Sequence, residues 1–276
     1  MMNKEEFLKN YNKDHNMSPE EAFMELTTLI EILRKECPWD KEQTHESLRQ
    51  CLLEEAYEVV DAVNRKDFDN LKEELGDVLM EVVFYSLIAQ EENKFDLSQV
   101  ISGVTDKMVR RHPHVFSHEK ADSIDNVLVK WENIKRKETE AHLVSDRLSN
   151  VPRALPALIR SYKLQERAKE AGFDWESIDG AFHKFLEELG ELKEAISLKA
   201  QTEIENEMGD VLFSVVNLAR FLNVNPEEAL DSTSDRFIRR FSKMEELAQA
   251  RSLKMEEMSF SELDGLWEEA KKVTED

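Results

Sequence analysis

Only two cysteines, Cys37 and Cys51, occur in the 276 residues, and no C-x-x-C spacing joins them. That excludes a disulfide framework and a thiolate metal site. Glycine is scarce, at seven residues. With no hairpin signal and no alternating apolar-polar run of useful length, little room is left for a β-sheet. No apolar stretch approaches the ~18 residues of a membrane-spanning helix. The N-terminal MMNKEEFLKNYNKDHN has no apolar core of the kind a signal peptide carries. Positive charge is also limited: 37 Lys and Arg against 59 Asp and Glu leave a net charge of −22. Such a surface repels nucleic acid and anionic membrane, and the expectation is a soluble, cytoplasmic protein. A polyanionic substrate remains compatible with it where divalent cations stand between the two.

What is present favours helix. Charged residues make up 35% of the chain, with Leu, Glu and Lys prominent. Ser18-Pro19-Glu20-Glu21 is a helix start, with Ser as N-cap and Pro in the first turn. Phe23, Leu26, Ile30 and Leu33 continue it at helical spacing to about Glu36. Cys37-Pro38-Trp39-Asp40 then breaks it. Further helices are predicted over 46–64, 68–91, 97–111 and 127–137. After a stretch containing Pro152 and Pro156 the plan repeats: helices over 157–170, 182–199, 202–223 and 226–247, then a closing one around Trp267. This predicts two tandem all-α helical-bundle domains, 1–140 and 157–276, with 141–156 as linker.

The repeat is quantitative where acids cluster. Glu54 and Glu187, Glu58 and Glu191, Glu74 and Glu207, and Asp77 and Asp210 are each 133 positions apart (187 − 54, 191 − 58, 207 − 74, 210 − 77). Both copies read E-E-x-x-E followed by E-x-x-D. Residues three or four apart share one helix face, so Glu188 converges with Glu191 and Glu207 with Asp210. Like charges so placed repel unless a cation joins them. Asp210 heads the run Val211-Leu212-Phe213-Ser214-Val215-Val216, apolar nearly all round, where a carboxylate is costly unless paired or metal-bound. An all-oxygen site of this kind suits Mg²⁺ or Mn²⁺. Gly76 and Gly209, one before each Asp, weaken their helices and suggest close approach of a neighbouring helix or ligand. A solvated acidic face is the alternative for a single E-x-x-E, but not for two copies in register. A di-iron bundle needs E-x-x-H on two helices, and only Glu42 to His45 offers it, without a twin.

These motifs resemble the all-α nucleoside triphosphate pyrophosphohydrolases. With CPWDKEQTHESL, the later GFDW and the two Trp-Glu segments around Trp131 and Trp267, the chain is similar to the MazG family over about residues 17–272. The resemblance implies Mg²⁺-dependent hydrolysis of nucleoside triphosphates to the monophosphate and pyrophosphate, in a dimer of helical bundles. Carried over by motif, the metal ligands are Glu188, Glu191, Glu207 and Asp210 in the second half. Glu55, Glu58, Glu74 and Asp77 are those of the first. Glu187 is the candidate general base. Lys184, Arg236, Arg239 and Arg240 are available for the phosphates, with Lys107, Arg110 and Arg111 as first-half counterparts. Trp175 and Trp267 could stack on the base or serve the core, and Asn217 suits a nucleotide contact. Asn217 and Ser214 correspond to Phe84 and Glu81, and Pro113 cuts short the first half's basic helix, so the second half is expected to be the principal site. A non-catalytic interaction module and a hydrolase restricted to one nucleotide are the other readings.

Overall fold

The computed structural model describes residues 4–11, 17–117, 123–124, 126–127, 130–131, 134, 138 and 143–274. Every regular element among them is helical, so the all-α expectation holds. Two compact units divide after Thr139. The segment 141–156, expected to be a linker, lies in the second unit and carries a helix of its own. Of the helix expected over 127–137, the residues other than 127, 130, 131 and 134 fall outside those described. Among the described residues no helix is long and apolar enough to cross a membrane.

In the first unit, α1 is Lys4–Asn10, α2 Pro19–Glu36, α3 Pro38–Lys41, α4 Arg49–Arg65, α5 Phe68–Glu91, α6 Leu97–Arg111 and α7 Pro113–Phe116. Ser18 closes a capping box with Glu21 at the start of α2, and Pro38 starts a single-turn helix rather than a loop. Helix α4 begins three residues later than expected. Thr44 and Ser47 bond each other's backbone N–H through their hydroxyls (2.9 and 3.2 Å), so the chain keeps a turn there. Ile30 of α2, Leu48 beside α4, and Val83, Phe84 and Ile88 of α5 form the core.

In the second unit, α8 is Val144–Ser149, α9 Ala157–Glu170, α10 Ile178–Leu198, α11 Gln201–Phe221, α12 Pro226–Ala250 and α13 Phe260–Val273. Helix α8 packs on α9, where Arg147 pairs with Glu170 at 3.4 Å. The α12–α13 pair buries Met244, Ala248, Leu266 and Ala270.

The duplication persists in three dimensions. Helices α4 and α5, like α10 and α11, are joined by two residues only. The first of these is left-handed in both copies: Lys66 (φ 57°) and Lys199 (φ 53°). Ala62 and Ala195 are buried at equivalent places near the turn, as are Val83 and Val216 further along. A lysine in the left-handed region, where non-glycine residues are uncommon, closes each αα-hairpin and holds its two helices in one register.

Neither Gly76 nor Gly209 is approached closely: a Cβ there would meet nothing within 4 Å outside its own helix. The close approach occurs instead at Gly180, where a Cβ would lie 2.9 Å from Trp175 Cε3. The second unit also contains an ion pair whose arginine is buried and whose aspartate is exposed. Arg220, 4% exposed, donates to both carboxylate oxygens of Asp174 and to Asn217 Oδ1. Removing Asp174 leaves the buried guanidinium without its closest carboxylate. Asp174→Ala should therefore lower stability by about 3 kcal/mol. Urea denaturation checks this, and an unchanged midpoint would mean the pair contributes nothing.

Candidate metal centre

The αα-hairpins set two acidic stripes face to face. On α4 the stripe is Cys51, Glu55, Glu58 and Ala62, and on α5 it is Glu74, Asp77 and Glu81. Steps of three and four keep each set on one side of its helix. One carboxylate oxygen each from Glu55, Glu58 and Glu74 lies within 4.8 Å of the others. In the second half the corresponding group is Glu188, Glu207 and Asp210, within the same limit. Asp77 and Glu191 stand outside these triads but not outside their field. The charge of Asp77 raises Glu55 and Glu74, and Glu188 and Glu207 raise Glu191.

Glu74 is buried and accepts a bond from Asn70 Nδ2 at 3.0 Å. Burial, then contact with Glu58, pushes its carboxyl above the ordinary range. Glu55 is raised by burial first, then by Asp77 and Glu58. Glu191 is raised by burial, then by Glu188 and Glu207. The buried Oε2 of Glu207 has no hydrogen-bond partner among the described residues. Crowded carboxylates of this kind, holding buried orphan oxygens and offering only hard donors, fit Mg²⁺ or Mn²⁺.

Asp210 is exposed, contrary to expectation, because its own unit leaves much of the apolar side of α11 uncovered: Leu212, Phe213 and Val215 are all exposed. The buried members of the clusters are Glu74 and Glu188 instead.

Basic residues distinguish the halves. Lys184 bridges Glu188 Oε1 (2.6 Å) and Glu187 Oε1 (2.8 Å), and those bonds raise its pKa. The equivalent position in the first half is Cys51, whose thiol is pushed up by burial and by Glu81. Arg110 and Arg111 both clamp Glu138, at 2.6 Å each, and hold its carboxyl at about 2. Arg236 bonds Thr233 Oγ1 at 2.8 Å. Neither it, Arg239 nor Arg240 has an acidic partner among the described residues, and the buried Nε of Arg240 has no partner of any kind there. Asn217 Oδ1 is engaged by Arg220. Trp267 packs on Phe237 (5.2 Å between centroids) within the α12–α13 core. Trp175 is 48% exposed.

Sequence reasoning missed Arg220 and the weight of Glu81. A single charge inside an apolar helical run, as in Leu79-Met80-Glu81-Val82-Val83, was the available signal for both. His45, the lone E-x-x-H histidine, hydrogen-bonds the Tyr85 carbonyl at 3.1 Å.

A folded carboxyl raised above 4.5 holds protons that the unfolded chain has already released. Stability is therefore lost as pH rises through the raised values, and is intact below the ordinary one. The melting temperature of the metal-free chain should fall as pH rises above the ordinary carboxylate range. At pH 8, Mg²⁺ at 100 times its Kd should restore about 2.7 kcal/mol, roughly 5–10 °C. Calorimetry with and without chelator reads both effects, and a melting temperature indifferent to Mg²⁺ at pH 8 contradicts the assignment.

Comparison with known proteins agrees with the motifs. The MazG nucleotide pyrophosphohydrolase domain matches twice, at residues 43–116 and 177–244. The chain is 46% identical over 251 residues to the nucleoside triphosphate pyrophosphohydrolase/pyrophosphatase MazG of Thermotoga maritima, covering 90% of this chain and 95% of that one. It is 41% identical over 252 residues to the nucleoside triphosphate pyrophosphohydrolase of Escherichia coli K12, covering 90% and 96%. A crystal structure of a mazG-related protein from Thermotoga maritima is 33% identical, covers 41% of this chain and 98% of that one, and superposes with a TM-score of 0.37. With both acidic hairpins inside the two domain matches, the chain belongs to the MazG nucleotide pyrophosphohydrolase family.

Proposed function

We propose that this chain hydrolyses nucleoside triphosphates, deoxynucleotides included, to the monophosphate and pyrophosphate, with Mg²⁺ or Mn²⁺ held by its carboxylate clusters. One observation carries the reading. In each half, carboxylate oxygens from two helices crowd within 4.8 Å, a repulsive arrangement that a divalent cation reverses. The names of the relatives supply the substrate class.

Glu188, Glu191, Glu207 and Asp210 are the proposed ligands in the second half, and Glu55, Glu58, Glu74 and Asp77 those in the first. Such a cation, when bound, neutralises the triphosphate and lowers the pKa of a coordinated water. The remaining work belongs to the side chains. Glu187 is assigned as proton acceptor, a role supported by Lys184, which ties it to Glu188. Arg236, Arg239 and Arg240 are assigned to the phosphates. Among the described residues none of the three has an acidic partner, which supports this, while Arg110 and Arg111 are taken up by Glu138. Trp175 is the better-supported base contact, since Phe237 covers one side of Trp267. Lys184 and the arginines of α12 favour the second half as the principal site. Exposed Leu186, Leu189, Leu212, Phe213 and Val215 on the acidic pair α10–α11 support a homodimer that covers them. Nucleotide-pool housekeeping in the cytoplasm is the setting that follows.

Pyrophosphate release from a panel of standard and modified nucleotides, with and without Mg²⁺, tests the activity. Release should require Mg²⁺. Glu191→Ala should reduce it at least about 100-fold, while Glu58→Ala retains most of it. Release from no nucleotide would favour an interaction module, release from one alone a restricted hydrolase, and loss only with Glu58→Ala would reverse the ranking of the halves. Light scattering should give twice the chain mass, and a monomer at micromolar concentration would refute the dimer.

A further inference from the structure

The two hairpins differ at the rung next to the acidic cluster, and the difference is chemical. One turn beyond Asp77 on α5 is Glu81, and across from it on α4 is Cys51. The same rung in the second half holds Ser214 and Lys184. The first half therefore adds an acid where the second half adds a built-in cation.

Glu81 is 4% exposed, and its buried Oε2 has no hydrogen-bond partner among the described residues. Its carboxylate faces the cluster closely enough for Glu55 and Asp77 to act on it. Around it stand Cys51 and Tyr85, neither of them a cation, and Arg49 acts on Tyr85 rather than on Glu81. A desolvated carboxylate beside other carboxylates, with no cation of its own, is costly unless something positive joins it. In the second half Lys184 meets that need at 2.6 Å from Glu188, and Ser214 spends its hydroxyl on the Val211 carbonyl at 2.8 Å.

We propose that Glu81 is a fifth carboxylate ligand of the first-half centre, so that this half binds a divalent cation tightly without nucleotide while the second half binds one only with the triphosphate. The inference rests on the proposed metal reading of the clusters. It gives the halves different tasks: the first-half ion is resident, whereas the second-half ion arrives with substrate because Lys184 already balances part of the charge. Oxygen donors, not the Cys51 thiol, are what a hard cation takes.

Mn²⁺ binding to the nucleotide-free full chain, read by electron paramagnetic resonance, tests this. The expected result is one tight class of sites. Glu81→Gln should weaken it at least about tenfold, and Glu207→Gln should leave it in place. The same Glu81→Gln protein should melt no lower than the parent in chelator, since it loses a buried charge and keeps its shape; this separates a ligand from a structural residue. Should Glu81→Gln fold poorly, the double variant Lys184→Cys with Ser214→Glu provides the converse, a second tight class in the other half. Tight binding unchanged by Glu81→Gln, or abolished by Glu207→Gln, overturns the inference. No Mn²⁺ bound to any variant at millimolar concentration, with or without nucleotide, would instead sink the metal reading itself.

Discussion

The acidic centres depend on a chain reversal of two residues. Lys66 and Lys199 both take the left-handed conformation at the helix end, and the next helix starts two residues on. So short a turn allows little freedom of register, and it brings E-E-x-x-E against E-x-x-D with their acid faces together. The repulsion this creates is offset by apolar burial elsewhere in the hairpins: Ala62, Val83 and Phe84 in the first half, Ala195 and Val216 in the second. Hydrophobic burial thus holds in place an electrostatic arrangement that would not assemble by itself.

On that common frame the halves have diverged by charge. The second half carries Lys184 within its cluster and arginines without acidic partners among the described residues. The first half has Cys51 in place of the lysine, Glu81 in place of a serine, and arginines committed to Glu138. A triphosphate brings several negative charges, and a site already short of positive ones is poorly prepared for it. On the proposed reading, the same shortage would make the first half the stronger attractor for a bare cation.

Much of this was legible in the residues. Helices at 68–91, 97–111 and 157–170 have the bounds the pattern predicts, since N-caps such as Asp67 and Asp96 and breakers such as Pro113 act locally. Where the reading missed, side-chain bonding or packing that helical periodicity does not encode was responsible. The Thr44 and Ser47 hydroxyls delayed α4. The stretch around Pro152 is no free linker, because Val151 is buried and α8 docks on α9. The apolar run after Asp210 suggested burial on all sides, yet only Ser214, Val216 and Arg220 of α11 are buried. Hydropathy reports what a helix can bury, not how much of it a given unit covers.

Taken alone, the sequence determined the all-α class and the duplication, and it singled out eight carboxylates of a kind that suits a hard ion. Each of those follows from residue type and spacing along one helix. Which carboxylates meet, that Glu74 and Glu188 rather than Asp210 are the buried ones, and that Lys184 sits on one cluster while Glu138 draws off the other half's arginines were decided only by tertiary structure. Helical periodicity tells which side chains share a face. The face they meet, and how much water remains between, depends on the hairpin turn and on packing partners many residues away.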